Sequence, residues 1–333
     1  MPDVRLAIDG TDTGPLLAVS VARSLRRAIS TGACTLPLTE SLEPGAEAVI
    51  RYGDTTLLTG WVVALTDDYS ARTTQVDLLS RTCLLEHRSL GDTARWRGIS
   101  VGEIVRQVCL WAGASVVVDA PDGPRISLDG APEDTCWGVI GRALQGQGLA
   151  ATDTGDGRLR ILDPSRLTTD PIRVPATGWA TSLTRTRDIR ERRSSYRLQA
   201  VTWADQGASA RRADSWMAGL GWDQVLRAPR HVSRADAQAL LEAEALRRAG
   251  ESVTVSLVAP GWERDGHLLA PGDWLDLGDE TLLVLDTTWS AGPGGTTWQA
   301  TLGYPEALGT RPRVSPGRRG QRRPTLLDIG LEG

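Results

Sequence analysis

The chain reads as an α+β protein that is mainly β, with two barrel-like β domains, a small α+β domain between them and a basic C-terminal tail. Three observations predict this. Short apolar or alternating runs, cut by Gly, Pro and Asp clusters, fill both ends of the chain. Between Ser100 and Leu144 the apolar period changes from 2 to near 3.6. From Gly309 onward arginines gather, with little apolar content until Leu326.

The first β region is assigned to residues 1–87. Val4–Ile8 alternates, and Asp9-Gly10 turns the chain. Further runs at Leu16–Val21, Ala33–Leu38, Ala48–Tyr52, Thr55–Leu65 and Thr73–Leu79 are separated by Thr31-Gly32, Gly53-Asp54 and Asp67-Asp68. Strands this short at roughly ten-residue spacing suggest a small barrel or sandwich.

Residues 88–165 change character. Ser100-Val101-Gly102-Glu103 has the form of a capping box, in which the hydroxyl accepts an amide of the first turn and Glu103 reaches back. Val101, Ile104, Val105, Val108 and Leu110-Trp111 then follow a helical period, and Gly113 stops it. A second helix is expected from about Asp134 to Leu144, on an apolar stripe of Val139, Ile140, Ala143 and Leu144, with Gly146 as its stop. Short strands are expected at Ser115–Val118, Arg125–Leu128, Leu149–Thr152 and Arg158–Leu162, the last two joined at Gly155-Asp156-Gly157.

The second β region is assigned to 166–308, entered through the proline-punctuated stretch Pro164 to Pro175. Strands are expected at Trp179–Arg187 and Tyr196–Trp203. A long helix opens at Ser233 and ends at Arg248. Four runs then write out an antiparallel sheet with its turns: Val253–Val258, Trp274–Leu277, Leu282–Trp289 and Thr297–Leu302. Trp262, Trp274 and Trp289 are expected to pack its core, and Glu263–Gly266 to form a loop. No internal repeat is visible by letter identity, although the two β regions could be related folds. Residues 309–333 form the tail.

A length of 333 residues predicts several domains, and a net charge of −4 predicts no general affinity for nucleic acid or membranes. Twelve Trp stand against no Phe, and all 37 basic residues are Arg, with no Lys and no Asn. Phe, Lys and Asn share AT-rich codons, so a GC-rich genome explains all three absences at once. Preference for bidentate arginine pairing would leave the missing Phe unexplained. The N-terminus lacks the charged and apolar regions of a signal peptide. No run reaches 18 apolar residues.

The sequence offers no reactive constellation. Cys34, Cys83, Cys109 and Cys136 form no C-x-x-C pair and lie among apolar neighbours, as buried free thiols of a reducing compartment do. His87, His231 and His267 lack converging partners. Adjacent acids such as Asp67-Asp68, Glu263/Asp265 and Asp273/Asp276 read as turn formers. No G-x-S-x-G occurs, and without Lys there is no phosphate loop. No catalytic residue, cofactor or metal is therefore expected. Arg185, Arg187, Arg190, Arg192 and Arg193 are interleaved with Asp188 and Glu191 as a solvated, self-paired stretch. The tail carries Arg311, Arg313, Arg318, Arg319, Arg322 and Arg323. Its end, with Leu326, Leu327 and Ile329, would gain little by exposure. That apolar anchor favours docking on a protein partner over phosphate neutralisation on nucleic acid.

Several phrases then form an ordered set. They are Val19-Ser20-Val21-Ala22-Arg23-Ser24-Leu25, the Leu57–Val62 run with Asp67-Asp68-Tyr69, and Ser80–His87. Trp96-Arg97-Gly98 with Ile104-Val105, Arg193–Leu198, and Gly261–Gly266 with Leu269–Asp273 follow. In order and spacing they resemble the Mu-like baseplate hub proteins of contractile-tailed phages, the late control protein D family also found in tailocins. The resemblance covers nearly the whole chain. It departs at Leu268-Leu269, where the family tends to Leu-Trp, and at Gly272-Asp273, where Asn is common. It implies a non-enzymatic virion protein made in the cytoplasm of a bacterial host: a homotrimeric ring of pseudo-sixfold symmetry that adapts a sixfold tail tube protein to a threefold central spike protein. Other baseplate or tape-measure proteins are further implied partners, with no membrane contact. The alternatives are a tail-associated cell-wall hydrolase and a nucleic-acid-binding tail component.

Overall fold

The computed structural model describes residues 4–309 except 40–41, 121, 124, 146, 168–169, 175–177, 201–207, 228–233 and 279. The first strands are β1 (Val4–Ile8), β2 (Thr11–Asp12), β3 (Ala18–Ser24), β4 (Thr31–Pro37), β5 (Glu47–Tyr52), β6 (Thr55–Asp68) and β7 (Thr73–Ser80). A middle region holds helix α1 (Leu84–His87), β8 (Ala94–Ser100), α2 (Val101–Ala112), β9 (Ser115–Val118), β10 (Arg125–Gly130), α3 (Cys136–Leu144), β11 (Ala150–Asp153) and β12 (Arg158–Leu162). The last third holds β13 (Ile172–Arg173), β14 (Ser182–Arg187), β15 (Ser195–Ala200), β16 (Ala208–Ala213), β17 (Asp223–Arg227) and α4 (Arg234–Glu251). It closes with β18 (Val253–Pro260), β19 (Glu263–Arg264), β20 (His267–Leu268), β21 (Trp274–Asp276), β22 (Thr281–Gly292) and β23 (Gly295–Gly303).

The mainly β, α+β class read from the sequence is the class observed. The alternating runs became strands because their apolar residues fall on one face: β7 buries Thr74, Val76, Leu78 and Ser80 while the residues between them are more exposed. α2 begins at Ser100, whose hydroxyl accepts the Glu103 amide at 3.3 Å, and ends at Gly113 in the left-handed conformation. The box is only half made. Glu103 turns its carboxylate to Gln107 at 3.0 Å and to Arg106 rather than back to the cap. Leu110 and Trp111, expected on the apolar stripe, lie on its exposed side. α3 starts at Cys136, capped by the Thr135 hydroxyl.

Strand pairing joins the two β regions. A single 13-stranded sheet runs β14-β18-β23-β22-β3-β4-β7-β6-β5-β1-β2, with β21 beside β22 and β13 beside β21. The two β regions meet where β22 pairs antiparallel with β3, from Asp286 opposite Ser24 to Ala291 opposite Val19. One apolar core follows the sheet through both regions, from Leu6, Ile50 and Leu78 to Leu257, Trp289 and Trp298. Trp262, Trp274 and Trp289 are buried, as their setting predicted. Glu263–Gly266 forms a tight hairpin: β19 and β20 pair Arg264 with His267, and Asp265 and Gly266 both take positive φ.

The register reveals a duplication. β3, β4, β7 and β6 lie side by side as β14, β18, β23 and β22 do, antiparallel throughout. Each long hairpin carries one register shift, between Val62 and Ala64 and between Val284 and Asp286. Superposing those shifts matches the pairing of Trp61–Asp68 with Thr73–Leu79 to the corresponding β22–β23 rungs, and brings Pro37 onto Pro260. Upstream, Gly45 donates to Val62 and Val62 to Ala46, just as Gly272 donates to Val284 and Val284 to Asp273. A Pro-Gly pair precedes each contact, and Gly-Asp-x-Thr-Leu-Leu occurs in both hairpins, at Gly53–Leu58 and Gly278–Leu283. The two hexapeptides lie three positions out of the register that superposes the strands, so the duplication lies in backbone pairing rather than in letters.

The middle region packs its own core around α2, α3, Trp96 and Leu128. It is tied to the first strands by a buried polar knot. The Thr152 hydroxyl donates to Ser24 O at 2.7 Å, the Thr82 hydroxyl to Ala28 O at 2.7 Å and to Asp153 at 3.0 Å, and Gly155 N–H to Asp153. Gly155 has φ +86°, and a Cβ there would lie 2.7 Å from Thr56 O. Burial pushes the Asp153 carboxyl up from the ordinary aspartate range, against the Gly155 amide and the Arg23 guanidinium, which hold it down. Arg23 donates to Leu57 O and lies 5.3 Å from the Trp289 ring centroid. Substituting Asp153→Ala is expected to leave the buried Thr82 hydroxyl and Gly155 amide without their shared acceptor and to cost about 1–3 kcal/mol, measured as a fall in the chemical-denaturation midpoint. An unchanged midpoint would remove Asp153 from the load path between the two regions.

Candidate assembly surfaces

The residues that could carry chemistry are occupied structurally. All four cysteines are buried and free, and burial pushes the Cys34 and Cys109 thiols up to about 12. His267 sits 3.0 Å from Asp273, which also accepts the Ala270 amide; His231 lies outside the described residues. Among the described residues no three His, Cys, Asp or Glu side chains converge as metal ligands. No described helix is long and apolar enough to cross a membrane. A cleft of about 400 Å³ lies against α4, lined by Gln145, Leu198, Leu226 and Leu308, and its ionisable liners Glu244 and Arg247 bind each other at 2.7 Å.

The arginine stretch is paired more widely than expected. Arg190 holds Asp188, but Arg192 binds Asp214 at 2.6 Å and Arg185 reaches Glu280. The tail residues Arg311, Arg313, Arg318, Arg319, Arg322, Arg323, Leu326, Leu327 and Ile329 lie outside the described residues.

What the structure presents instead is surface of an assembling kind. Several strand edges have no neighbour among the described residues, two of them on the duplicated strand sets. One is the outer edge of β14, whose six residues are all exposed, including Leu183 at 54%. The other is the far half of β6: β5 pairs it only as far as Trp61, and residues 63–68 run on along β7 alone. Its tip is shaped by Asp68, whose carboxylate accepts the Ser70 and Ala71 amides at 2.9 Å and the Ser70 hydroxyl. Those bonds hold the carboxyl below the usual range and leave Tyr69 projecting, 71% exposed. Two further apolar patches are Leu110 with Trp111 on α2, and Leu220, Trp222 and Val225 beside β17. Free edges and apolar patches are sites that other chains cover.

No family model matches the chain. Baseplate hub protein gp44 of Escherichia phage Mu is 23% identical over 295 residues, spanning 80% of this chain and 76% of that protein. The resemblance to the Mu-like baseplate hubs holds. Its fold is also that of solved tail proteins. One is from Neisseria meningitidis MC58, with TM-score 0.79 and 16% identity over 92% of this chain and 98% of that one. Another is the 43 kDa tail protein of prophage MuSo2 from Shewanella oneidensis, with TM-score 0.76 and 18% identity over 91% and 98%. These relatives are named as a baseplate hub protein and tail proteins, and this chain shares the fold of the tail proteins.

Near the end of the described chain, at Glu306, a carboxyl is held in an unusual state. Glu306 is 1% exposed, neither of its oxygens accepts a hydrogen bond from another residue, and burial pushes it up to about 7. A folded-state pKa above the unfolded 4.5 means the native state binds the extra proton. The associated stability is present below pH 4.5 and is lost as pH rises through 7. Substituting Glu306→Gln is expected to raise the thermal midpoint at pH 8 and change it little at pH 4.5. Equal shifts at both pH values would contradict a protonated Glu306.

Proposed function

We propose that this chain is the hub of a phage or phage-tail-like baseplate, a ring of three copies that adapts a sixfold tail tube to a threefold central spike. The observation that carries the reading is the duplication. Each chain brings two strand sets of one topology and register, β3-β4-β7-β6 and β14-β18-β23-β22. Three chains present six such sets, so the ring is threefold in sequence and near-sixfold in backbone. A sixfold tube then meets six similar surfaces, while a threefold spike meets the features in which the two sets differ. Similarity to the phage Mu hub supports the same reading.

Two measurements test it. Class averages or native mass spectrometry of the purified 35.7 kDa chain, alone and with its tube and spike proteins, are expected to give a three-copy ring. A chain that stays monomeric with both partners would refute the hub assignment. For the tail, deletion of residues 310–333 is expected to abolish spike retention in pull-downs and to leave DNA retention unchanged. Loss of DNA retention with the spike still bound would assign those arginines to nucleic acid.

A further inference from the structure

We propose that copies of this chain join edge to edge, residues 64–69 of one copy pairing antiparallel with residues 183–188 of the next. This contact would repeat between copies the seam that β22 and β3 make within each. The inference rests on the ring reading and supplies its contact. The duplication makes β6 the counterpart of β22, and β14 the counterpart of β3. Within the chain, the far half of β22 is covered by β3. The far half of β6 and the outer edge of β14 are the two corresponding edges, and both stand open among the described residues. Six strands separate them along the sheet, so they serve different neighbours: a head-to-tail contact.

The register transfers rung by rung. The β14–β18 and β3–β4 pairings put Leu183 at the position of Val19, Arg185 at that of Val21 and Arg187 at that of Arg23. The β6–β7 and β22–β23 pairings put Ala64 at the position of Asp286, Thr66 at that of Thr288 and Asp67 at that of Trp289. Copying the internal seam sets Thr66 opposite Thr186, Asp67 opposite Arg185, and Tyr69 opposite Leu183. Tyr69 and Leu183, both exposed apolar residues, thus meet, and so do opposite charges. At the rung of Asp286 and Ser24, the copied seam has Ala64 and Asp188. A carboxylate is kept but moves to the other strand, and the arginine that serves it is kept too: Arg26 binds Asp286, and Arg190, its counterpart, binds Asp188.

Burial supports the missing neighbour. In β22, Thr287, Trp289 and Ala291 are buried; in β6 the counterparts Leu65, Asp67 and Tyr69 are half-buried or exposed. In β3, Val19 and Val21 are buried, whereas Leu183 and Arg185 are exposed. A long open edge is a liability that folded chains cover, and a second copy carries the matching edge.

Paired cysteines test the register in the full chain. Thr66 and Thr186 are both exposed, so Thr66→Cys with Thr186→Cys leaves the fold intact, which an unchanged thermal midpoint under reducing conditions verifies. Directly opposed residues lie about 4.5–5.5 Å apart, within disulfide reach. With copper-phenanthroline as oxidant, the double variant is expected to give dimers and a closed trimer on a non-reducing gel. Each single variant stays monomeric on the gel. Thr66→Cys with Ser182→Cys, displaced about 13 Å along the strand, also stays uncross-linked. Rings in class averages without cross-links at 66 and 186 would overturn this contact and leave the ring reading standing. Monomers by mass photometry with no cross-link would overturn both.

Discussion

The rest of the molecule depends on the antiparallel seam between β3 and β22. It joins residues more than 260 positions apart, with Ser24 and Arg26 both reaching Asp286 and Leu25 N–H donating to Leu285 O at 2.8 Å. Each such bond contributes only about 1 kcal/mol. The seam's weight comes from what it makes continuous. It turns two strand sets into one sheet over one apolar core, and places Trp289 against Arg23. Ser24, a seam residue, also offers its carbonyl to Thr152 of the middle region. The polar knot that ties down that region is thus built on the same strand.

Much of this architecture was legible because burial on one face of a sheet imposes a period of two. Residues 4–79 and 253–302 carry that period through Leu6, Ile50, Val76, Leu257 and Leu302, and their turns carry Gly, Pro and Asp where positive φ or tight bends need them. The duplication was not legible in the same way. The fold conserves register, and register tolerates any side chain that fits its face. Gly32 stands where Val255 stands, Cys34 where Leu257 does, and Asp67 where Trp289 does. Letters survive at scattered rungs, Pro37 with Pro260, Val62 with Val284 and Thr66 with Thr288 among them, and in the Pro-Gly pairs. Those short matches were the available signal, and they gain meaning only with the pairing beside them.

The exposed surfaces were less legible for a related reason. Helical period placed Leu110 and Trp111 near a stripe whose buried members are Val101, Ile104, Val105 and Val108. Adjacent positions differ by about 100° around a helix, so a run of apolar letters cannot all face one core. Edge strands are harder still, since an open edge and a covered one share the same alternation. β14 was expected as a strand, but its openness follows from which neighbours arrive.

The two kinds of edge differ in the way their histories require. Val21 and Trp289 face each other across a seam that forms as the chain folds and stays covered. An apolar pair there is never offered to solvent. At the matching positions β14 and β6 carry Arg185 and Asp67. A free chain must display those edges until a partner arrives, and charged residues on an open strand discourage indiscriminate pairing. Arg185 meanwhile holds Glu280, so its charge is balanced before any partner is met. The same backbone thus appears twice, once with residues suited to permanent cover and once with residues that tolerate waiting. On the proposed edge-to-edge contact, that difference puts the assembly surface of this chain at its strand edges.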